Sequence, residues 1–470
     1  MIPLAEALYS TIVTAPLYHV ILEIMLIVWI LWLLSHKSYK ISEVHELTEK
    51  EKDELIAEWE PEPLVPDIPD HPILHQESIQ GKAGKRIKLG GKDCLNASSL
   101  NFLGLVGDPR IEESAVAAVS KYGVGSCGPR GFYGTLDVHL DLERDIAEFL
   151  GCEEAVLYSY GFACIASAIP AYAKRGDVIF CDKNVNFAIQ KGLIASRSKV
   201  EFFEHNNLDD LKRLLEIQAQ RDRQNPKKAK VTRRFLVLEG IYMNSGEICP
   251  LPEMVELKWK YQVRIFIDES LSFGVLGKTG RGLTEHFNID PVEIDMICVS
   301  LENAVASTGG FCCGRSFVVD HQRLSGLGYC FSASLPPLLA AAARQSLKII
   351  QEEPDRLQRL QENSRHIYGK LKRLRLFDVS GSPGSPLFCL KLKEEASREQ
   401  QEAWLQSIVD KALKRGVALT LARYLVQEEI FPPEPSIRVS INSEMSKTEL
   451  EQIVDVLDIE SHTILMPPSH

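Results

Sequence analysis

The sequence predicts an α/β fold with a largely parallel sheet, carried behind a single N-terminal apolar helix. Three observations predict it. From about residue 90 onward, short runs rich in Val, Ile, Leu and Phe alternate with helical segments, as strands do when helices cover both faces of their sheet. Residues 17–34 are apolar except for Tyr18, His19 and Glu23. Between these regions, proline recurs at 61, 63, 66, 69 and 72, which stiffens a chain into an extended connector.

Bulk properties narrow the class. The chain has 470 residues, enough to bury a large core, and a formal net charge of −11, which disfavours nucleic acid as a partner. Its 11 cysteines are scattered, with no Cys-x-x-Cys pair. That pattern suits thiols packed as small core residues in a reducing compartment. No stretch has the ligand spacing of a structural zinc site, so no metal is expected. Cys312-Cys313, beside the Gly309-Gly310 turn, reads as tight packing.

The elements follow in chain order. Residues 1–16 form a lumenal segment and 17–35 a transmembrane helix, with about 20 apolar residues needed to span and roughly 17 the lower limit. A signal peptide and a buried helix are the alternatives. No Lys or Arg precedes residue 37 and no Ala-x-Ala site ends the run, unlike a signal peptide. Lys37 and Lys40 follow the span, which places the bulk of the chain in the cytosol. Glu23 inside the span calls for a partner or for snorkelling to the interface. Residues 36–89 are a juxtamembrane helix and linker. Thr48-Glu-Lys-Glu51 has capping-box spacing and predicts a helix through Trp59. Leu55, Ile56 and Trp59 share a face of it, which rests on the protein's own domain or on the membrane surface.

Residues 90–337 form the large domain. Ala155–Tyr158, Val178–Cys181, Arg234–Leu238, Arg264–Ile267 and Met296–Ser300 read as strands buried on both faces, with Ile111–Tyr122 and Leu208–Ala219 among the helices between them. Open α/β sheets place ligands at the carboxyl ends of such strands. Residues 338–470 form a smaller C-terminal domain, beginning with a long helical stretch and holding strands near Leu387–Leu392 and Ser436–Ser440. The basic residues Lys227, Lys228, Lys230, Arg233 and Arg234 read as a solvated loop, with anionic lipid headgroups as the alternative contact.

Several motifs together carry a resemblance. The stretch Ile265-Phe-Ile-Asp-Glu-Ser-Leu-Ser-Phe-Gly-Val-Leu-Gly-Lys-Thr-Gly-Arg-Gly282 is similar to the Asp-Glu-Ala-His-Ser-x-Gly-x-x-Gly-x-x-Gly-Arg-Gly block of the α-oxoamine synthases. Those are pyridoxal-phosphate (PLP) enzymes of fold type I that condense an amino acid with an acyl-CoA. Asn101–Leu105, the Tyr122–Gly134 glycine-rich stretch with His139 and Leu142-Glu143, Ser159–Phe162, Glu239–Met243, Pro250–Pro252 and Phe331–Pro337 follow in that family's order. The chain resembles the lysine-lacking subunits of the branch that joins L-serine to palmitoyl-CoA, giving 3-ketosphinganine.

The resemblance implies a degenerate cofactor site. Asn303, in Ser300-Leu-Glu-Asn-Ala-Val-Ala-Ser-Thr-Gly-Gly310, stands where the family has the lysine that holds PLP. A lysine amine forms a Schiff base and moves the substrate's α-proton; an amide nitrogen does neither. Asn186 stands where the family stacks a histidine on the cofactor ring, and Leu271 where a histidine contacts its phenolic oxygen. Asp268, the family's partner for the pyridinium nitrogen, remains. PLP is therefore expected to be held covalently by a lysine-bearing partner in a heterodimer and not by this chain. Cys127, Gly128, Arg130 and Tyr133 are expected to shape the partner's site in trans, and Ser332 and Ala333 to reach its cofactor phosphate. Arg438 matches an arginine that clamps the amino-acid carboxylate. The resemblance further implies an endoplasmic-reticulum membrane location and small membrane regulatory subunits. Two other readings stand beside this one: a freestanding PLP enzyme using another lysine, with Lys278 nearest in sequence, and a membrane-anchored scaffold that senses lipid or acyl-CoA.

Overall fold

The computed structural model describes residues 16–35, 47–61, 63–65, 72–75 and 77–465. The chain divides into two compact units, residues 1–76 and 77–470. In the first, Leu17–Ser35 is one 19-residue helix with no buried side chain. It is about 28 Å long at 1.5 Å per residue, close to the roughly 30 Å hydrocarbon core of a bilayer. By length and composition it is a candidate membrane span. Lys37 and Lys40 lie outside the described residues. The helix Glu49–Glu58 forms with the anticipated capping box: Thr48 Oγ1 accepts from Glu51 N, and Thr48 N donates to Glu51 Oε2 at 2.8 Å. Leu55, Ile56 and Trp59 are exposed. Of the prolines read as a spacer, Pro66 and Pro69 fall outside the described residues, and Pro72 opens a single turn of 3-10 helix, Pro72–His75.

The second unit is built on a seven-stranded sheet of order β4-β10-β9-β8-β7-β5-β6. Its strands are β4 (Glu154–Tyr158), β5 (Val178–Asp182), β6 (Lys199–Phe203), β7 (Arg234–Glu239), β8 (Arg264–Asp268), β9 (Met296–Ser300) and β10 (Gly310–Gly314). Strands β6, β5, β7, β8 and β9 are parallel neighbours. Strand β10 runs antiparallel between β9 and β4. The loop after β9 reverses the chain, closed by Leu301 N donating to Gly309 O at 2.9 Å. Cys312 and Cys313 therefore lie on a fully buried strand, packed as the sequence suggested. A glycine-rich run, poor in strand formers, concealed it.

Two domain limits move. The three strands β1 (Ile79–Gln80), β2 (Arg86–Leu89) and β3 (Lys92–Asn96) form a sheet with β13 (Val417–Ala418), so residues 77–89 belong to the folded body rather than to the linker. The C-terminal sheet is β11 (Phe377–Ser380), β12 (Leu387–Leu392), β15 (Ile437–Ser440) and β14 (Thr420–Leu421). Its core takes Ile367 onward together with Leu95 and Ala97. Helix Pro337–Glu352, which the sequence reading gives to that domain, instead buries Ala340, Ala343, Leu347 and Ile350 in the large core. Its apolar face matches the large sheet's helical layer, a choice that periodicity alone leaves open. Lys227 and Lys228 lie in a short helix, Pro226–Ala229, with Lys230 at its C-cap. Arg233 pairs with Asp177 at 2.8 Å and Arg234 with Asp222 at 2.6 Å.

The parallel strands all end at one edge. Asp182, Glu239, Asp268 and Ser300 are the last residues of β5, β7, β8 and β9, and the family motifs converge there.

Candidate functional site

Asp268 closes β8 and is buried. A carboxylate removed from water needs donors, and the chain supplies them itself. Ser270 N and Ser270 Oγ donate to Oδ1 at 3.0 and 2.5 Å, and Asn186 Nδ2 donates to Oδ2 at 3.0 Å. Asn186 can do this because it caps the helix Phe187–Ser196: its Oδ1 accepts from Ile189 N at 3.1 Å, which turns Nδ2 toward β8. Asparagine is a favoured N-cap residue, so one side chain starts a helix and satisfies a buried acid.

Asn303 lies in the loop between β9 and β10, and its Nδ2 donates to Ser270 O at 2.7 Å. Ser270 Oγ in turn accepts from Ser300 N at 2.8 Å. Asn303, Ser270, Asp268 and Asn186 thus form one continuous hydrogen-bonded chain across the ends of four elements. Leu271 is buried in the large core. Lys278 is exposed beyond Gly277, whereas Asp268 is buried. The side chains present here do not fit covalently held PLP. No amine stands at position 303, no imidazole at 186 or 271, and the carboxylate that would meet a pyridinium is already bonded.

Two further buried acids adjoin the chain. Glu239, the register partner of Asp268 on β7, accepts from Asn186 N at 2.6 Å and Met243 N at 3.0 Å. Burial, and then the neighbouring Asp268, push its carboxyl up to about 8. Burial also raises Asp268. Glu269 Oε2 accepts from Ser272 Oγ and Leu283 N, both at 2.7 Å, while its buried Oε1 has no hydrogen-bond partner among the described residues. Burial pushes Glu269 up to about 7. The sequence reading assigned neither glutamate a role. Their signal was an acid ending or following an unbroken apolar run.

The residues expected to act in trans divide into two groups. Cys127 and Tyr133 are exposed and carry positive φ, 57° and 64°, which non-glycine residues seldom adopt. Tyr133 is 101% exposed, with Phe132 at 69%, Phe331 at 78% and Leu327 at 60%. Ala333 is exposed, and its carbonyl accepts from Ser159 Oγ. Ser332 Oγ is turned inward to Gly328 O. Arg130 is buried within its own chain. It forms a two-point pair with Glu143 at 2.8 and 3.2 Å and donates to Thr135 Oγ1 at 3.0 Å. Glu143 Oε1 also accepts from Leu157 N at 2.9 Å. Arg130 therefore braces the glycine-rich loop from within.

Gly128 and His139 join that loop to the 332–335 segment. Gly128 O accepts from Ser334 N and Ser334 Oγ, both at 3.0 Å. A Cβ on Gly128 would stand 2.9 Å from Phe132 O. His139 Nδ1 lies 3.0 Å from the Leu136 N–H, so it is the acceptor, and Nε2 carries the proton toward Leu335 O at 2.7 Å. Burial lowers the His139 pKa and keeps the ring neutral. Arg438, on β15, pairs in register with Cys389 and Thr420. Its Nε and the buried Tyr424 hydroxyl have no hydrogen-bond partner among the described residues.

The chain is similar to several known proteins. The family model for class I and II aminotransferases matches residues 92–457. "Serine palmitoyltransferase 1" of Dictyostelium discoideum is 45% identical over 87% of this chain and 87% of its own. "Long chain base biosynthesis protein 1" of Arabidopsis thaliana is 44% identical over 80% of this chain and 77% of its own. A solved structure of SPT with PLP internal aldimine superposes with a TM-score of 0.73 at 25% identity, over 82% of this chain and 93% of that one.

The Glu269 environment sets a pH dependence. The folded value of about 7 lies above the ordinary 4.5, so between these limits the folded chain holds a proton that the unfolded chain releases. Stability from this group is complete below pH 4.5 and is lost as pH rises through 7. Glu269→Gln is expected to flatten the fall in stability between pH 5 and 7 by up to about 1.4 kcal/mol per pH unit. Urea unfolding across that range measures it, and an unchanged slope contradicts the assignment.

Proposed function

The chain belongs to the class I and II aminotransferase family, in its serine palmitoyltransferase 1 branch, and from that premise we propose that it is the subunit of a serine palmitoyltransferase that does not itself hold the cofactor. The observation that carries the proposal is Asn303 bonded to Ser270 O at the position where catalysis needs an amine. PLP would be held by a lysine-bearing homologue, which condenses L-serine with palmitoyl-CoA, while this chain completes and stabilises that site. An amide chain that satisfies Asp268 internally keeps the fold stable without the cofactor.

The exposed face around Tyr133 supports a paired state. Phe132, Tyr133, Leu327 and Phe331 stand on two segments tied together through Gly128, Ser334 and His139. Exposed apolar residues grouped on a braced surface mark an interaction site. Cys127, Gly128, Tyr133 and Ala333 would meet the partner there, with Arg130, Glu143 and Ser332 holding the loop in shape. Arg438, with its free Nε, would serve either a carboxylate or the local packing. The N-terminal helix would anchor the chain in the endoplasmic-reticulum membrane with the larger unit in the cytosol, beside small membrane subunits that bind the span.

Condensation of serine with palmitoyl-CoA tests the reading. Product is expected only when this chain is co-expressed with a lysine-bearing homologue; product from the chain alone would overturn it. If co-expression left the homologue's turnover unchanged, the scaffold reading would stand instead. Tyr133→Asp combined with Phe331→Asp should weaken pair formation at least tenfold, about 1.4 kcal/mol, in a pull-down titration with fold checked by circular dichroism. In sealed microsomes, added protease should digest the 77–470 unit without detergent; protection would place it in the lumen.

A further inference from the structure

Cys164, Cys298 and Cys312 are far apart in sequence, yet the fold brings their sulfurs together. Cys164 lies in the first turn of helix Gly161–Tyr172, Cys298 at the centre of β9 and Cys312 at the centre of β10. Cys298 and Cys312 are register partners across an antiparallel pair, so their side chains leave the same face of the sheet. Their sulfurs are 3.2 Å apart, and Cys164 Sγ is 3.4 Å from Cys312 Sγ. All three ligand atoms lie within 4.8 Å of one another, and each residue is buried.

The close approach of helix to sheet has its own cause. Gly310 opens β10 against Gly161, which opens the helix. A Cβ on Gly310 would stand 3.0 Å from both Gly161 Cα and Cys164 Cβ, and one on Gly161 would stand 2.3 Å from Ser300 Oγ. Two glycines thus allow the helix to descend until Cys164 meets the strand cysteines. The cluster adjoins the degenerate site, since Cys298 is also the register partner of Asp268.

We propose that Cys164, Cys298 and Cys312 form a three-sulfur site for the soft monovalent cation Cu(I). Thiolates select soft ions over Mg²⁺ and Ca²⁺, which take oxygen. A structural Zn²⁺ site is closed by four ligands; here no fourth His, Cys, Asp or Glu joins the group among the described residues. Burial holds the Cys164 and Cys298 thiols well above the ordinary range, so without metal they are neutral. Against the effect of burial, the contacts with Cys164 and Cys298 bring the Cys312 thiol down to about 6, so it is Cys164 and Cys298 that release protons to solvent on ligation; no electron is transferred, and uptake strengthens as pH rises. Bound there, the ion would join the helix to β9 and β10 directly behind Asp268.

The full-length chain, expressed with and without added copper and then reduced in detergent, is titrated anaerobically with Cu(I) against bicinchoninate. One equivalent should be retained in a three-coordinate, all-sulfur environment by copper K-edge X-ray absorption, with Cys94→Ser behaving as the parent chain. Cys298→Ser and Cys312→Ser should each hold copper at least about tenfold more weakly. Since serine at a buried position can impair folding, Cys164→Ala serves as a second variant, its fold verified by circular dichroism. Unchanged copper retention in a folded variant, nitrogen or oxygen neighbours around the copper, or no uptake under either expression condition would overturn the site and leave three packed thiols.

Discussion

A buried carboxylate at the end of a central strand must find donors, and the arrangement around Asp268 follows from that need. In a cofactor-holding relative a pyridinium would share the task. Here Ser270 and Asn186 meet it from within the chain. Asn186 is thereby committed to capping its helix in one orientation, and Ser270 to a backbone geometry that offers its carbonyl to Asn303. The loop after β9 is held by the same contacts, and it sets where β10 begins.

This internal satisfaction has an electrostatic counterpart. Glu239, Asp268 and Glu269 are all buried and all shifted toward protonation, chiefly by burial. Backbone N–H groups and short side chains stabilise them, and among the described residues no Lys or Arg forms an ion pair with them. Hydrogen bonds of this kind cost less than a desolvated ion pair of imperfect geometry. A buried ion pair in the same unit, Arg130 with Glu143, has two contacts and a backbone donor as well. It keeps the glycine-rich loop in a shape that leaves Tyr133 outside.

Much of this was legible from residues. Apolar runs located β4, β5, β7, β8 and β9 to within a residue or so, because strands buried on both faces admit little else. Thr48 and Glu51 announced their helix. Asn303 announced an absent amine. Strand β10 was not legible, since Gly310 and Gly314 carry no strand signal, and its pairing depends on neighbours distant in sequence. The inward turn of Arg130 was equally hidden: an arginine in a glycine-rich loop looks available until Glu143 is brought beneath it. Short-range pattern also could not reveal that residues 77–89 join a sheet with Val417 and Ala418.

The sequence by itself determined the chemistry that is missing and the kind of fold that surrounds it. Which residue types are present is a local fact, and hydrophobic period reports burial one element at a time. Only the tertiary structure decided what stands in place of those groups, namely a chain from Asn303 through Ser270 and Asp268 to Asn186, drawn from three separate motifs. It also decided that three scattered cysteines meet in one place. Both depend on register and on glycine-permitted approach between elements, quantities that arise from packing one element against another and so are absent from any single stretch of residues.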